Sequence, residues 1–281
     1  MLHRTILTAV ATLGLVGQFA MTHPVSAQAL PPEVAKSKVV RVAIEAAYPP
    51  LEVRNTAGEL EGFDIDLIRA MGKVLGVTIE HQDGAFEQMT PSLQSGRVDM
   101  IMSGFYDTPK RRAMFDFIDY LKAGAQFYSL AANKEVQKLE DLCGKTVSSV
   151  RGTSYPDTIK AFSDKICAGK EPITVILDTN LGQQITNLKT GRIVAGVQGL
   201  EAVPTIVQTD PGTFTILGEP ISMALMGMAF NKDADSTTLR DAYAYALKQV
   251  IADGTYDQLI KKWKLDISAY KDVSINAGPQ P

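Results

Sequence analysis

Apolar and polar positions along this chain alternate between two rhythms, short runs of period two or continuous apolar character, and longer runs of helical spacing. VVRVAIEAA, from Val39 to Ala47, alternates in strand fashion, and AYPPLEV continues it as a second extended piece. GFDIDLIRAMGKVLG then sets Ile65, Ile68, Met71 and Leu75 at helical spacing. Asp64 and Asp66 stand in its first turn, where carboxylates oppose the helix dipole, and Gly76 stops it. VTIEHQ reads as a strand, AFEQMTPSLQSG as a helix ending at Gly96, and RVDMIMSGF as a buried strand. A βαβαβ succession predicts a doubly wound, mostly parallel sheet.

The pattern restarts further on. GKTVSSVRGTS is a strand entering a turn, YPDTIKAFSDKI a helix, ITVILD a strand, LGQQITNLKTG a helix and RIVAGVQG a strand. Two α/β lobes follow, each with a doubly wound, mostly parallel sheet. Between them run two extended segments, GAQFYSLAAN and SMALMGMAFNK. After the second, STTLRDAYAYALKQVIADG and TYDQLIKKWKL read as helices, with Leu239, Tyr243, Ala246, Leu247 and Val250 along one face. A chain that leaves one lobe, builds the other and returns needs two crossing strands, which act as a hinge. The expected boundaries are 38–128 with 230–270 for lobe 1, 129–229 for lobe 2, and a tail over 271–281. A cleft between the lobes, at the carboxyl ends of their strands, is the expected ligand site.

The first 27 residues stand apart from this pattern. A cation at Arg4, an apolar run from Ile6 to Met21 and a small-residue ending at Val25, Ser26 and Ala27 predict a secretory signal peptide cut after Ala27. No cysteine lies near that site, which argues against a lipid anchor, and no later segment has the length of a membrane span. Loss of Arg4 takes the formal charge from −3 to −4, with cations scattered rather than gathered in a stripe, so nucleic acid is not an expected partner.

Export also decides how the cysteines and histidines are read. The chain holds two cysteines, Cys143 and Cys167. A strand up from Cys143 and a helix back to Cys167 have nearly cancelling lengths, which brings the pair together and predicts a disulfide in an oxidising compartment. Of the three histidines, only His81 remains beyond the signal segment. A nucleophilic triad would need His81, a structural zinc site lacks ligands, and His81 is expected to be a solvated surface residue.

Four strings carry a resemblance: YPPLEVRNTAGELEGFDIDLIRAMG, PSLQSGRVDMIMSGFYDTPKRRAMFDFIDYL, LCGKTVSSVRGTS and ADGTYDQLIKKW. In this order and behind a signal peptide, the chain resembles the family 3 extracellular solute-binding proteins, the amino-acid receptors of bacterial ABC importers. The resemblance implies the two-lobed periplasmic-binding-protein (venus flytrap) fold, an amino-acid-like ligand, a membrane permease as partner, a monomeric state, and no cofactor or metal.

The family's carboxylate-binding arginine matches Arg111 in TPKR, and a guanidinium offers a carboxylate two parallel hydrogen bonds. Lys110 and Arg112 are expected to be a solvated face. Glu45 matches an acid that contacts the ligand side chain, or is a surface residue beside a turn. Tyr48 and Phe86 match aromatics lining the slot, or are simply core residues, and Ser103 and Gly104 match its donor segment. Thr153 and Ser154 either receive an anion at a helix start or only cap that helix.

Two departures stand out. The family usually has Thr or Ser at Tyr106, and an Asp that grips the ligand ammonium at Gly199. Glu201 substitutes for that Asp if its loop bends inward. The competing readings are a cyclohexadienyl-dehydratase-like lyase, with Glu45, Glu87 and Glu201 as its only acids in the cleft, and a receptor serving a membrane sensor.

Overall fold

The computed structural model describes residues 29–279. The expected signal peptide lies outside them. Among the described residues no helix is long and apolar enough to cross a membrane.

Lobe 1 opens with a short helix, α1 (Pro32–Ser37), ahead of the first strand read from the sequence. Its sheet is formed by β1 (Val39–Ile44), β5 (Thr78–Asp83), β6 (Met100–Ile101), β7 (Tyr106–Asp107), β8 (Asp116–Ala123) and β14 (Ala224–Phe230), in the order β5-β1-β6-β14-β7 with β8 also on β14. β1 pairs in parallel with β5 and β6, and β14 enters antiparallel. A small sheet of β2 (Ala47–Tyr48), β3 (Glu52–Arg54) and β4 (Leu60–Glu61) covers one end.

Helix α2 (Phe63–Leu75) buries Ile65, Ile68 and Met71 as their spacing requires. It is followed by α3 (Met89–Gln94) and the single turn α4 (Pro109–Arg112). Late in the chain, α8 (Ala234–Ala252) and α9 (Thr255–Lys262) return to this lobe. The face of α8 read from the sequence, Leu239, Tyr243, Ala246, Leu247 and Val250, is buried.

Lobe 2 repeats the scheme with β9 (Ala125–Leu130), β10 (Thr146–Val150), β11 (Thr174–Asp178), β12 (Ala195–Gly199) and β13 (Phe214–Leu217), in the order β11-β10-β12-β9-β13. Helices α5 (Tyr155–Ile166), α6 (Leu181–Lys189) and α7 (Val203–Thr209) pack on it. β10 is parallel to β11 and β12, and β9 is antiparallel to β12 and β13. Both sheets are therefore parallel on one side and antiparallel where a crossing strand enters.

The crossing strands set the boundaries. β9 pairs within the second sheet from Ala125, and β14 pairs within the first from Ala224. Sheet membership thus changes a few residues before the expected borders at 128/129 and 229/230, because each crossing segment belongs to the sheet it enters. Residues 271–279 are docked, not a free tail: Asn276 accepts from the Phe117 amide at 2.9 Å, and the Gly278 amide donates to Asp107 at 2.7 Å.

Cys143 and Cys167 are disulfide-bonded, with Cα atoms 5.5 Å apart. Cys143 precedes β10 and Cys167 ends α5, so the bond lies a strand's length from the end of lobe 2 that faces lobe 1. His81 corrects its expectation. It is half-buried in β5 with Nε2 enclosed, and burial first, then the nearby Arg69 charge, pushes it down to about 4.

Candidate functional site

The carboxyl ends of β1 and β10, the β6–β7 turn and the start of α5 meet around a cavity between the lobes. Glu45, Tyr48, Phe86, Ser103, Gly104, Tyr106, Arg111, Thr153 and Ser154 line it, so the structure brings together nine of the ten positions singled out as ligand contacts. Glu201, the tenth, sits behind that wall, bonded to Tyr48. The sequence reading missed Glu52, Tyr155, Leu181 and Gln198.

Arg111 is placed by local chemistry. Thr108 caps α4 by accepting the Arg111 amide at 3.3 Å, and Pro109 supplies the fixed backbone angle suited to a first helical residue. Arg111 is 8% exposed, and its guanidinium lies 3.6 Å from the centroid of the Phe105 ring. Its Nη1 donates to the Tyr106 carbonyl and its Nη2, across the cleft, to the Gly152 carbonyl, each at 3.0 Å. Burial lowers its pKa to about 10, yet it stays charged at neutral pH. Two of five N–H donors are held by neutral carbonyls, so among the described residues this cation has no carboxylate partner.

Its neighbour departs from expectation. Arg112 is not a solvated cation: Nη1 is 2.9 Å from Asp107, and the side chains are 13% and 0% exposed. Nη2 also holds the Pro279 carbonyl, which ties the C-terminal segment down. Lys110 does face solvent, with a side chain 83% exposed.

The expected donor segment is already engaged. The Ser103 hydroxyl donates to Glu52 and accepts the Glu45 amide at 3.0 Å. The Gly104 amide donates to Asp64 at 3.1 Å. Gly104 has φ +57°, and a Cβ there would stand 2.9 Å from the Tyr48 ring, so both backbone and slot require glycine. On the lobe 2 side, Thr153 bonds the Val150 carbonyl at 2.7 Å, and Ser154 starts α5 without a side-chain cap. The capping reading therefore fails for both hydroxyls.

The two departures from the family pattern are linked. A Cβ on Gly199 would fall 1.7 Å from Glu201 Oε1, so the Glu201 carboxylate fills the space that a side chain at 199 would use. Glu201 is 3% exposed, accepts from the Tyr48 hydroxyl at 2.7 Å, and keeps Oε2 without a protein donor. Burial first, against the bonds from its own backbone and Tyr48, raises it to about 7. Tyr155 donates to Tyr106 at 3.1 Å, and the Gly199 amide donates to Tyr48 at 3.2 Å. With the Arg111–Gly152 bond, these contacts hold lobe 1 against lobe 2. Burial raises Glu45 to about 7, against a smaller lowering by the nearby Phe86 backbone. Of the acids named for an enzyme reading, Glu87 is exposed and does not line the cavity.

The family model of the bacterial extracellular solute-binding proteins, family 3, matches residues 40–266. The arginine-binding protein ArgT of Corynebacterium glutamicum is 31% identical over 255 residues, covering 90% of this chain and 83% of that protein. The histidine-binding periplasmic protein of Escherichia coli is 30% identical over 239 residues, covering 82% and 89%. An ancestral arginine-binding protein bound to arginine superposes with a TM-score of 0.73 at 32% identity, covering 80% of this chain and 98% of that one.

Proposed function

The chain belongs to the bacterial extracellular solute-binding proteins of family 3, and from that premise we propose that it captures an amino acid with a cationic side chain between its lobes and delivers it to the permease of an ABC importer. The observation that carries this reading is the buried Arg111 guanidinium, which has no carboxylate partner among the described residues. A ligand carboxylate would supply that partner through two parallel, charge-assisted hydrogen bonds. Glu201 receives the ligand ammonium, from the space above Gly199 that its own carboxylate occupies. The acids Glu45 and Glu52, on the lobe 1 wall, favour a cationic side chain. The relatives described above, which bind arginine and histidine, support the same class.

The mechanism is closure. Arg111 belongs to lobe 1, and the carbonyl it reaches, Gly152, belongs to lobe 2. A ligand bridging Arg111 and Glu201 adds contacts only to the closed arrangement, and so shifts the population toward it. The protein acts in the periplasm after export, and no catalysis is involved.

The test is calorimetric titration of the mature protein with arginine, histidine and lysine, with the recovered ligand checked for chemical change. Saturable binding with the ligand recovered intact is expected. Conversion of the ligand would favour the lyase reading, and absence of binding by every amino acid would overturn the ligand class.

A further inference from the structure

The cavity carries more acid than its one guanidinium balances. Glu45 and Glu52 line it, Asp64 lies behind Glu52, and Glu201 closes the lobe 2 side. None of these four forms an ion pair among the described residues.

Glu52 and Asp64 are a pair apart. They are 0% and 1% exposed, and two adjacent residues of one turn hold them, the Ser103 hydroxyl holding Glu52 and the Gly104 amide holding Asp64. One oxygen of each is supplied by protein donors. Glu52 Oε1 accepts the Ser103 hydroxyl, and Asp64 Oδ2 accepts the Tyr120 hydroxyl at 2.8 Å and the Gly104 amide at 3.1 Å. The other two, Glu52 Oε2 and Asp64 Oδ1, have no donor from the protein. Two carboxyl groups buried beside each other without a cation do not both ionise, so the pair holds a proton.

We propose that this pair exchanges its shared proton for the side-chain cation of the incoming amino acid, so that capture of a cationic ligand releases a proton and capture of a neutral one does not. The proposal rests on the reading of the cavity as an amino-acid site. Burial, followed by the neighbouring acid, holds Glu52 well above the usual carboxylate range, so the pair keeps its proton in the absence of a cation. A cation brought into contact favours the charged form and expels it.

The charged and titratable groups facing the pair are few. Glu45 joins it through Ser103, Tyr120 faces it from β8, Tyr48 and Glu201 close the slot, and Arg111 stands on the same cavity wall. Asp83, which adds to the charge felt by Glu45, is already paired with Arg54 at 2.7 Å. Glu45 is only half-buried and lies near the Phe86 backbone, so solvent and that backbone compensate its charge. Glu52 has neither.

Titration calorimetry near neutral pH, in buffers of different ionisation enthalpy, counts the protons released. Arginine and glutamine, similar in length and different in charge, are the probes. Close to one proton should leave with arginine and none with glutamine. Arginine affinity should then rise by up to about tenfold per pH unit between about pH 6 and 8, while glutamine affinity stays level. Glu52→Gln isolates the effect, since its carbonyl still accepts from Ser103 while its amide has no proton to release. With its fold checked by melting temperature, this variant should release no proton with arginine and lose the pH slope. Unchanged release in Glu52→Gln, release lost only in Glu45→Gln, or equal release with both ligands would each overturn the exchange. If both amino acids bind wild-type protein without proton release, the exchange alone falls. If neither binds, the amino-acid reading falls and takes the exchange with it.

Discussion

Arg111 and Arg112 are adjacent and chemically identical, yet their surroundings assign them different work. Arg111 lines the cavity and has no carboxylate partner among the described residues, whereas Arg112 is spent on buried Asp107 and the C-terminal segment. Arg111→Lys should therefore lower ligand affinity by about 1.5 to 3 kcal/mol, roughly ten- to a hundredfold, because the two-point geometry disappears. Arg112→Lys should leave affinity in place and lower the melting temperature. Calorimetry and thermal melts on both variants separate the two roles, and equal affinity losses would refute the division. Gly199→Ala is the sharper test of the lobe 2 wall. Its methyl would meet Glu201 Oε1 at 1.7 Å, so the carboxylate must move. Affinity should fall as far as in Glu201→Gln, and a full-affinity Gly199→Ala protein would mean that Glu201 does not hold the ligand.

At the scale of elements, β10 and α5 form a strand-and-helix unit stapled at one end and open to the ligand at the other. The disulfide joins positions 24 residues apart, and Thr153, Ser154 and Tyr155 line the cavity at the opposite end. Cys143→Ser with Cys167→Ser should cost about 3 kcal/mol of stability on the chain-entropy account. Ligand affinity should persist at temperatures where the variant is folded. Denaturant melts and titrations on the double variant check both, and lost affinity in folded protein would place the bond's influence at the site. The unit was legible because period two gives way to helical spacing at a turn. β7, β13 and α7 were not assigned, since short elements carry too few residues to establish a period.

At the scale of the whole molecule, several buried acids lack cation partners among the described residues, which ties stability to pH. Glu45, Glu52, Asp64, Asp119 and Glu201 are all raised, chiefly by burial, with Glu45, Asp119 and Glu201 at about 7. A folded state that holds protons the unfolded chain has lost is favoured at low pH. This contribution is complete below the unfolded carboxylate range and disappears as pH rises through about 7. His81, held at about 4, acts the other way below its unfolded value, with one group against five. Unliganded protein should therefore melt higher at pH 5.5 than at pH 8, as scanning calorimetry would show. A melting temperature that rises with pH over this range would refute the buried-acid account.

Hydrophobic rhythm along the sequence determined the two α/β lobes, the paired crossings and the helix faces, because burial on one side of an element is written at fixed spacing. Arg111 was legible only through the family resemblance that the string TPKR carries. What lay outside the sequence was pairing between residues far apart. Ser103 gives its hydroxyl to Glu52, 51 positions earlier, and Tyr48 meets Glu201 across 153 positions. No spacing rule reaches that far. Nor does the sequence reveal which polar groups are already satisfied, so Arg112 and Arg111 look alike until folding buries an acid beside only one of them. Gly199 reads as a missing side chain, and only the tertiary structure shows its space taken by a carboxylate two residues on, where close approach is open to glycine alone.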